Sequence, residues 1–402
     1  MASTRLCYRC ERTYTDDRRV RCACGEPLWD DASPPSVRST DGQTPCDRPL
    51  QRYLESLPVT DLAGIATGAG GTPTVRVPGL DDVAGCRVVV KDEGQNPTGS
   101  YKDRGSAVAV SRALEWGVEA VGTVSYGNMA MSTAAHAAST GLECVVLVPS
   151  EISAGRLELI GQYGPRIVQV DGEYASLYGD ALDLHRERSL AVFLSDDPSR
   201  IAGYKTAFYE LYEDLAPEVP DAIVVPTSSG GFASGLWRGI LDLKGAGLLE
   251  TPPRLYPVQT AAADPITRAF EAGADRVTAV PPVAVEETIA HSIGNPDPPS
   301  GTRALTAARE TGGAVVSVTD DELRAAQAAY ARRGGFCVEP ASAASLAGVA
   351  RLTDDGQIRA DETAVLIPTG TGFKELGTGA RSVRTETVSR TDLEAHIVDE
   401  KT

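Results

Sequence analysis

The sequence predicts an α/β protein of open, doubly wound, mostly parallel sheets in two subdomains, with a small cysteine-bearing module at its N-terminus. Three observations carry this. Short aliphatic runs alternate with Ala-rich helical stretches along most of the chain. Several runs are apolar at consecutive positions, as in parallel strands covered on both faces. At 402 residues the chain has room for two domains.

Taken in order, the first stretch reads "CYRCERTYTDDRRVRCACGEPLW", with Cys7 and Cys10 as C-x2-C and Cys22 and Cys24 as C-x-C before Gly25. Two thiolate pairs, each beside a turn, suit a tetrahedral structural zinc site of ribbon type. A reduced metal-free cluster or a redox pair is the competing reading. So short a segment has little core to fold it without metal, which favours zinc. The module, expected to support structure and take no part in catalysis, and a Pro- and Ser-containing linker, "DDASPPSVRSTDGQTPCDRP", occupy residues 1–45 and the start of the body. Strands are expected at "CRVVV", "VGTVS", "CVVLVP", "RIVQV", "AIVVP", "AVVSV" and "TAVLIP". Helices are expected at "SAVAVSRALEWG" and "DELRAAQAAYARRGG". The second opens with Thr319 three residues before Glu322, a capping-box spacing, and stops at Gly334-Gly335. After about Arg381 the tail is polar and weakly patterned.

With 55 acidic and 38 basic residues the net charge is -17, which argues against nucleic acid or anionic membranes as partners. Only six of the basic residues are lysine, and acid excess with scarce lysine resembles a surface adapted to concentrated salt, as in a halophile. No apolar stretch of about 18 residues and no signal-peptide pattern occurs, so a cytoplasmic location is expected. The remaining cysteines (Cys46, Cys86, Cys144, Cys337) are too scattered for a secreted disulfide framework.

The chemistry concentrates at strand ends, where doubly wound folds bind ligands. One of the six lysines, Lys102, sits in "NPTGSYKDRG". Unlike a guanidinium, a desolvated ammonium can lose its proton and act as a nucleophile. "VSYGNMAMSTAAHAA" leaves a strand through Ser125, Tyr126, Gly127 and Asn128. "VVPTSSGGFASGLW" passes through Thr227, Ser228, Ser229, Gly230 and Gly231 before a helix, presenting backbone N–H groups as a phosphate cradle would. "LIPTGTGFKE" ends a strand at Thr369. The P-loop, the nicotinamide fingerprint, G-x-S-x-G and H-E-x-x-H are all missing, and the four histidines (His136, His185, His291, His396) form no ligand spacing. A lysine able to deprotonate, a phosphate cradle and a polar strand-end residue are together what pyridoxal phosphate requires.

These segments resemble the fold-type II pyridoxal-phosphate enzymes, and the threonine synthase family in particular. "NPTGSYKDRG" is similar to that family's Schiff-base motif, with Tyr101 in place of phenylalanine, and "SYGNMAMSTAAHAASTG" to its S-S-G-N-x-A segment. "SRIAGYKTAFYEL", "EPASAASLAG" and "PTGTGFKE" resemble later segments in the same order, and the likeness covers roughly residues 50–380. The cysteine knuckle resembles one that precedes some archaeal members. The resemblance implies a larger cofactor-binding domain of residues 46–110 plus 205–402, a smaller domain of residues 111–204, and a homodimer. It implies that Lys102 holds the cofactor and moves substrate protons, that Asn128 bonds the cofactor's 3′-oxygen, and that Ser228, Ser229, Gly230, Gly231 and Phe232 bind its phosphate. Thr369 would face the pyridine nitrogen. Ser125, Ser195, Arg200 and Lys205 would meet the substrate. The implied reaction converts O-phosphohomoserine and water to threonine and phosphate.

The chain departs from the pattern at Tyr126, Met129, Leu194 and the Ser228–Gly231 segment, where fewer side-chain donors would meet a substrate phosphate. A paralogue performing β-replacement or deamination on phosphoserine, serine or threonine, as in cysteate synthase or threonine ammonia-lyase, is therefore a rival reading. A catalytically inactive metabolite-binding paralogue is a third, and the presence of Lys102, Asn128 and Thr369 weighs against it.

Overall fold

The computed structural model describes residues 4–31, 49–125, 127–150, 152, 154–171, 174–184, 190–281, 285–375, 387, 389 and 390. Tyr126, Cys46, His185, His396, most of the linker and nearly all of the C-terminal tail lie outside them. Strands β1 (Thr4–Cys7), β2 (Thr13–Tyr14) and β3 (Leu28–Asp31) form an antiparallel sheet in the order β2-β1-β3. The body follows as β4 (Thr74–Arg76), α1 (Asp81–Ala84), β5 (Arg87–Lys91), α2 (Lys102–Glu115), β6 (Ala120–Val124), α3 (Asn128–Thr140), β7 (Glu143–Pro149), α4 (Ala154–Gly161) and β8 (Arg166–Val170). Next come α5 (Tyr174–Leu184), β9 (Leu190–Val192), α6 (Pro198–Leu215), β10 (Ala222–Pro226), α7 (Gly231–Gly245), β11 (Arg254–Thr260) and α8 (Pro265–Glu271). The chain continues through α9 (Gly301–Glu310), β12 (Val316–Val318), α10 (Asp320–Ala329), α11 (Pro340–Asp354) and β13 (Thr363–Leu366).

All seven expected strands are present, and they divide between two sheets. Six strands run β12-β11-β10-β13-β5-β4, parallel except for the antiparallel edge strand β4. Four strands run β8-β7-β6-β9, all parallel. Strand β11, "RLYPVQT", is not evident from sequence because it contains Pro257. Its register shows why the proline is tolerated. Residues 254 and 258 bond toward β10, so Pro257 points toward β12, which pairs only from Val258 onward. The missing N–H therefore costs no ladder bond.

The capping box at α10 forms as its spacing predicts: Glu322 N donates to Thr319 Oγ1 at 3.3 Å and Thr319 N to Glu322 Oε2 at 2.6 Å. A π-turn over Tyr330–Gly334 then ends at Gly335 with φ 77°. Helices α2 and α6 approach closely because each turns a glycine toward the other, Gly203 against backbone and Gly105 against the Tyr204 ring. A Cβ on Gly203 would lie 2.0 Å from Arg104 O, and one on Gly105 2.6 Å from Tyr204. The N-terminal sheet docks on α7 through aromatic contacts, Trp29 lying 5.1 Å from Trp237 and 5.7 Å from Tyr8 between ring centroids. Among the described residues, no helix is long and apolar enough to cross a membrane.

Candidate active site

The loop after β5 is held by four polar side chains of the "NPTGSYKDRG" segment, those of Asn96, Thr98, Asp103 and Arg104. Asn96 accepts from Gly70 N at 2.9 Å and donates to Glu93 Oε2 at 3.0 Å. Asp103 accepts from Thr98 N (2.6 Å), Thr98 Oγ1 (2.8 Å) and Ser132 Oγ (2.6 Å). Arg104 is fully buried between two carboxylates, bonding Glu93 at 2.7 and 2.8 Å and Glu210 at 2.8 and 2.7 Å. These bonds seat the first turn of α2 and bring Lys102 to its head.

Among the described residues, Lys102 Nζ has no hydrogen-bond or ion-pair partner. It lies 4.6 Å from the centroid of the Tyr101 ring and 5.8 Å from that of Tyr204. Burial, helped by the positive charge of Arg200, pushes its ammonium down from 10.5 to about 7. An amine in that range is substantially unprotonated at neutral pH.

The other strand ends converge on the loop that carries this amine. The end of β13 pairs with the lysine loop: Tyr101 N donates to Thr369 O at 3.0 Å and Thr371 N to Gly99 O at 3.0 Å. Thr369 is buried, with Oγ1 3.1 Å from Ser342 Oγ. Asn128 opens α3 after β6. Its Nδ2 donates to both carboxylate oxygens of Glu339 at 2.9 and 3.0 Å, and its Oδ1 accepts from Lys374 Nζ at 2.5 Å. Lys374 also bonds Gly99 O at 2.9 Å. Glu339 and Lys374 fix which end of the Asn128 amide faces where, and sequence reasoning assigned them no role. The scarcity of lysine was the available signal for Lys374.

After β10, Gly230 adopts φ 83° as the N-cap of α7. The backbone N–H groups of Ser228, Ser229, Gly230, Gly231 and Phe232 find no acceptor among the described residues, so donors at a helix N-terminus stand ready for an anion. There is no room for larger residues: a Cβ at Gly230 would sit 2.5 Å from Ser300 O, and one at Gly231 2.6 Å from Ser195 O. Phe232 stacks on Tyr101 with centroids 4.2 Å apart, joining this loop to the lysine loop. An unpaired amine, a donor-lined cradle and an oriented amide fit the aldehyde, phosphate and ring oxygen of pyridoxal phosphate.

Ser125 and Ser195 are half-buried just beyond the ends of β6 and β9. Two other expected substrate contacts are placed differently. Arg200 is fully buried and donates to Ser106 Oγ at 3.0 Å and Thr133 Oγ1 at 2.6 Å, between α2 and α3. Its charge acts on Lys102 through space. Lys205 lies on the face of α6 toward α7, fully buried, with Nζ 2.9 Å from Asp242 Oδ2. That ion pair commits its ammonium to structure.

The four N-terminal cysteines come together, their Sγ atoms all within 4.8 Å of one another. Individual separations are 3.6 Å (Cys7 to Cys24), 3.5 Å (Cys10 to Cys22) and 3.8 Å (Cys10 to Cys24). Four sulfurs around one zinc at Zn–S of about 2.3 Å stand roughly 3.8 Å apart, so this cluster has the right size and donor set.

A lysine at a helix head, a phosphate-sized N–H cradle and strand ends facing both define a cofactor-dependent α/β enzyme. The matching family model is that of the pyridoxal-phosphate dependent enzymes, over residues 65–370. Threonine synthase of Methanocaldococcus jannaschii is 37% identical over 376 residues, covering 92% of each chain. Threonine synthase of Mycobacterium leprae is 35% identical, covering 87% of this chain and 94% of its own. Among solved structures, a T.th. threonine deaminase superposes with TM-score 0.62 at 26% identity, over 78% of this chain and 94% of that one. The threonine deaminase isoform 2 of Solanum lycopersicum, at 19% identity, shares the fold with TM-score 0.66 over 90% and 95%. The chain belongs to the pyridoxal-phosphate dependent enzymes and, among them, to the threonine synthase family.

Proposed function

We propose that the chain converts O-phosphohomoserine and water to threonine and phosphate, with pyridoxal phosphate carried on Lys102. The observation that carries the chemistry is the partnerless Lys102 amine, beside Asp103 and Arg104 whose charges are bonded elsewhere; the substrate follows from the relatives. When bound, the cofactor withdraws electrons from the substrate's Cα and acidifies the protons there and at Cβ. With cofactor and substrate bound, Lys102 would be the base placed to accept and return those protons near neutral pH. Its depressed basicity matters here, because a fully protonated ammonium has no lone pair to accept them. Asn128 would turn one of the two Nδ2 hydrogens it now gives to Glu339 toward the ring oxygen, while Lys374 keeps hold of its Oδ1. Residues 228–232 hold the cofactor phosphate with backbone N–H groups, so replacing asparagine-type side chains there by serines leaves the donors in place. Thr369 meets the ring nitrogen with a hydroxyl, and Ser125 and Ser195 face the substrate.

The discriminating assay offers O-phosphohomoserine and O-phosphoserine separately and follows phosphate and amino-acid product. Threonine from the former is expected; turnover of O-phosphoserine alone would reject the assignment in favour of β-replacement.

The four cysteines hold a structural zinc ion in this reading, supported by their sulfur spacing. About one equivalent of metal per chain is expected in the purified protein and should be lost in Cys7→Ser/Cys22→Ser. Full retention would refute the site. The body divides into a unit built on the six-stranded sheet (residues 46–110 and 205–402) and one on the four-stranded sheet (111–204). A charge of -17 with six lysines supports a surface suited to concentrated salt, so thermal stability should rise between dilute and molar KCl.

A further inference from the structure

The cysteine-bearing sheet touches the loops of the candidate site at two points. Arg21, next to Cys22, donates through Nη2 to Asp196 Oδ2 at 2.5 Å, and its Nη1 lies 3.4 Å from Pro299 O. Asp196 is buried and directly follows Ser195. Its second carboxylate oxygen accepts from the Tyr178 hydroxyl on α5. One carboxylate thus ties the N-terminal module, the Ser195 loop and a helix of the four-stranded unit. At the second point, fully buried Arg303 donates to Leu28 O at 3.2 Å and to Ser300 Oγ at 2.9 Å. Ser300 N in turn donates to Ser229 O at 2.8 Å. The two carbonyls that close on Gly230 and Gly231 belong to Ser300 and Ser195. Both walls of the cradle are therefore braced by residues that the module holds.

We propose that Arg21 is a positioning residue: through Asp196 it fixes the Ser195 wall of the 228–231 cradle, so that the fold of the cysteine module sets how tightly the cradle grips an anion. This rests on the cradle being the cofactor phosphate site. The contact is mostly shielded from water, so salt screens it little. The module's strands have four, two and four residues, too little core to hold Arg21 in place without the cysteine cluster. Because the walls stand within van der Waals contact of the glycines, a displacement of about 1 Å is enough to open the cradle.

The test uses full-length holoenzyme as Arg21→Met, Arg21→Lys and Asp196→Asn. Metal per chain, the pyridoxal-phosphate dissociation constant from an absorbance titration, KM and kcat are measured on each. Arg21→Met and Asp196→Asn are expected to weaken cofactor binding and raise KM by about tenfold, with metal content intact and kcat within about twofold. Arg21→Lys should recover most of the loss. Wild-type cofactor affinity in Asp196→Asn overturns the proposal. Should Arg21→Met shed its metal, Asp196→Asn, which lies outside the module, decides alone. If the protein turns over another substrate, the assignment of O-phosphohomoserine fails, while the cofactor titration still decides the role of Arg21.

Discussion

Lys102 and Lys205 lie on facing helices, α2 and α6, and burial lowers the basicity of both. They differ in what stands opposite. Lys205 meets Asp242, which also bonds Arg238 at 2.8 Å and Tyr209 at 2.5 Å. Lys102 meets an aromatic face and the repulsion of Arg200. A carboxylate turns one buried ammonium into a strut, and its absence leaves the other as a usable base. Lys91 falls on the strut side, pairing with Glu210 at 2.9 Å beneath the Lys102 loop.

The largest expected effect is at Lys102. Lys102→Ala should abolish the absorbance of the bound cofactor and cut turnover by at least about 10³-fold. Comparable activity in that variant would end the contrast. Next is the support beneath it. Glu210→Gln leaves Arg104 and Lys91 short of buried negative charge and should cost about 3–5 kcal/mol, read from urea unfolding. A loss below about 1 kcal/mol would mean water reaches the network.

Labelling of cofactor-free protein by pyridoxal phosphate and borohydride sharpens the comparison further. Reaction at Lys102 should be half-maximal near pH 7, because the amine is protonated and inert below that value. Since 7 lies below the ordinary 10.5, the unfolded chain binds this proton more readily between the two. The group's stability penalty is therefore complete below about pH 7 and relieved as pH rises toward 10.5. Half-maximal labelling above pH 9 would show that burial has not depressed the amine. The smallest effect is expected at Lys205. Lys205→Met should leave kcat within about twofold and lower stability by about 1–3 kcal/mol, since Asp242 keeps Arg238 and Tyr209. A collapse of kcat with the fold intact would return Lys205 to the substrate site.

The sequence shows the fold where its signal is local. Continuous aliphatic runs mark seven strands, and the spacing from Thr319 to Glu322 marks one helix start. Strand β11 is hidden because Pro257 reads as a breaker until register shows which way it points. β9 has three residues, too few for a pattern. At the site, Asn128, Thr369 and the Ser-Gly loop stand out because each follows a strand, and Lys102 because it is one of six lysines and sits in the "NPTGSYKDRG" segment. Lys205 shows what motif reading misses: "GYKT" and "SYKD" look alike, and only the three-dimensional fold supplies Asp242 to one of them. The contact between Arg21 and Asp196 joins residues 175 apart and has no sequence signature at all.

The placing of β13 bears on how the chain acquires its site during synthesis. This strand, residues 363–366, inserts between β10 and β5, and the residues after it clasp the lysine loop made some 270 positions earlier. On the ribosome, β5 must wait beside an unfilled gap until residues 363–366 have emerged. Such long-range pairing is slow and leaves strand edges exposed in the meantime. A nascent chain stopped short of residue 363 carries Lys102 but lacks the wall that seats it, so cofactor capture must wait for β13.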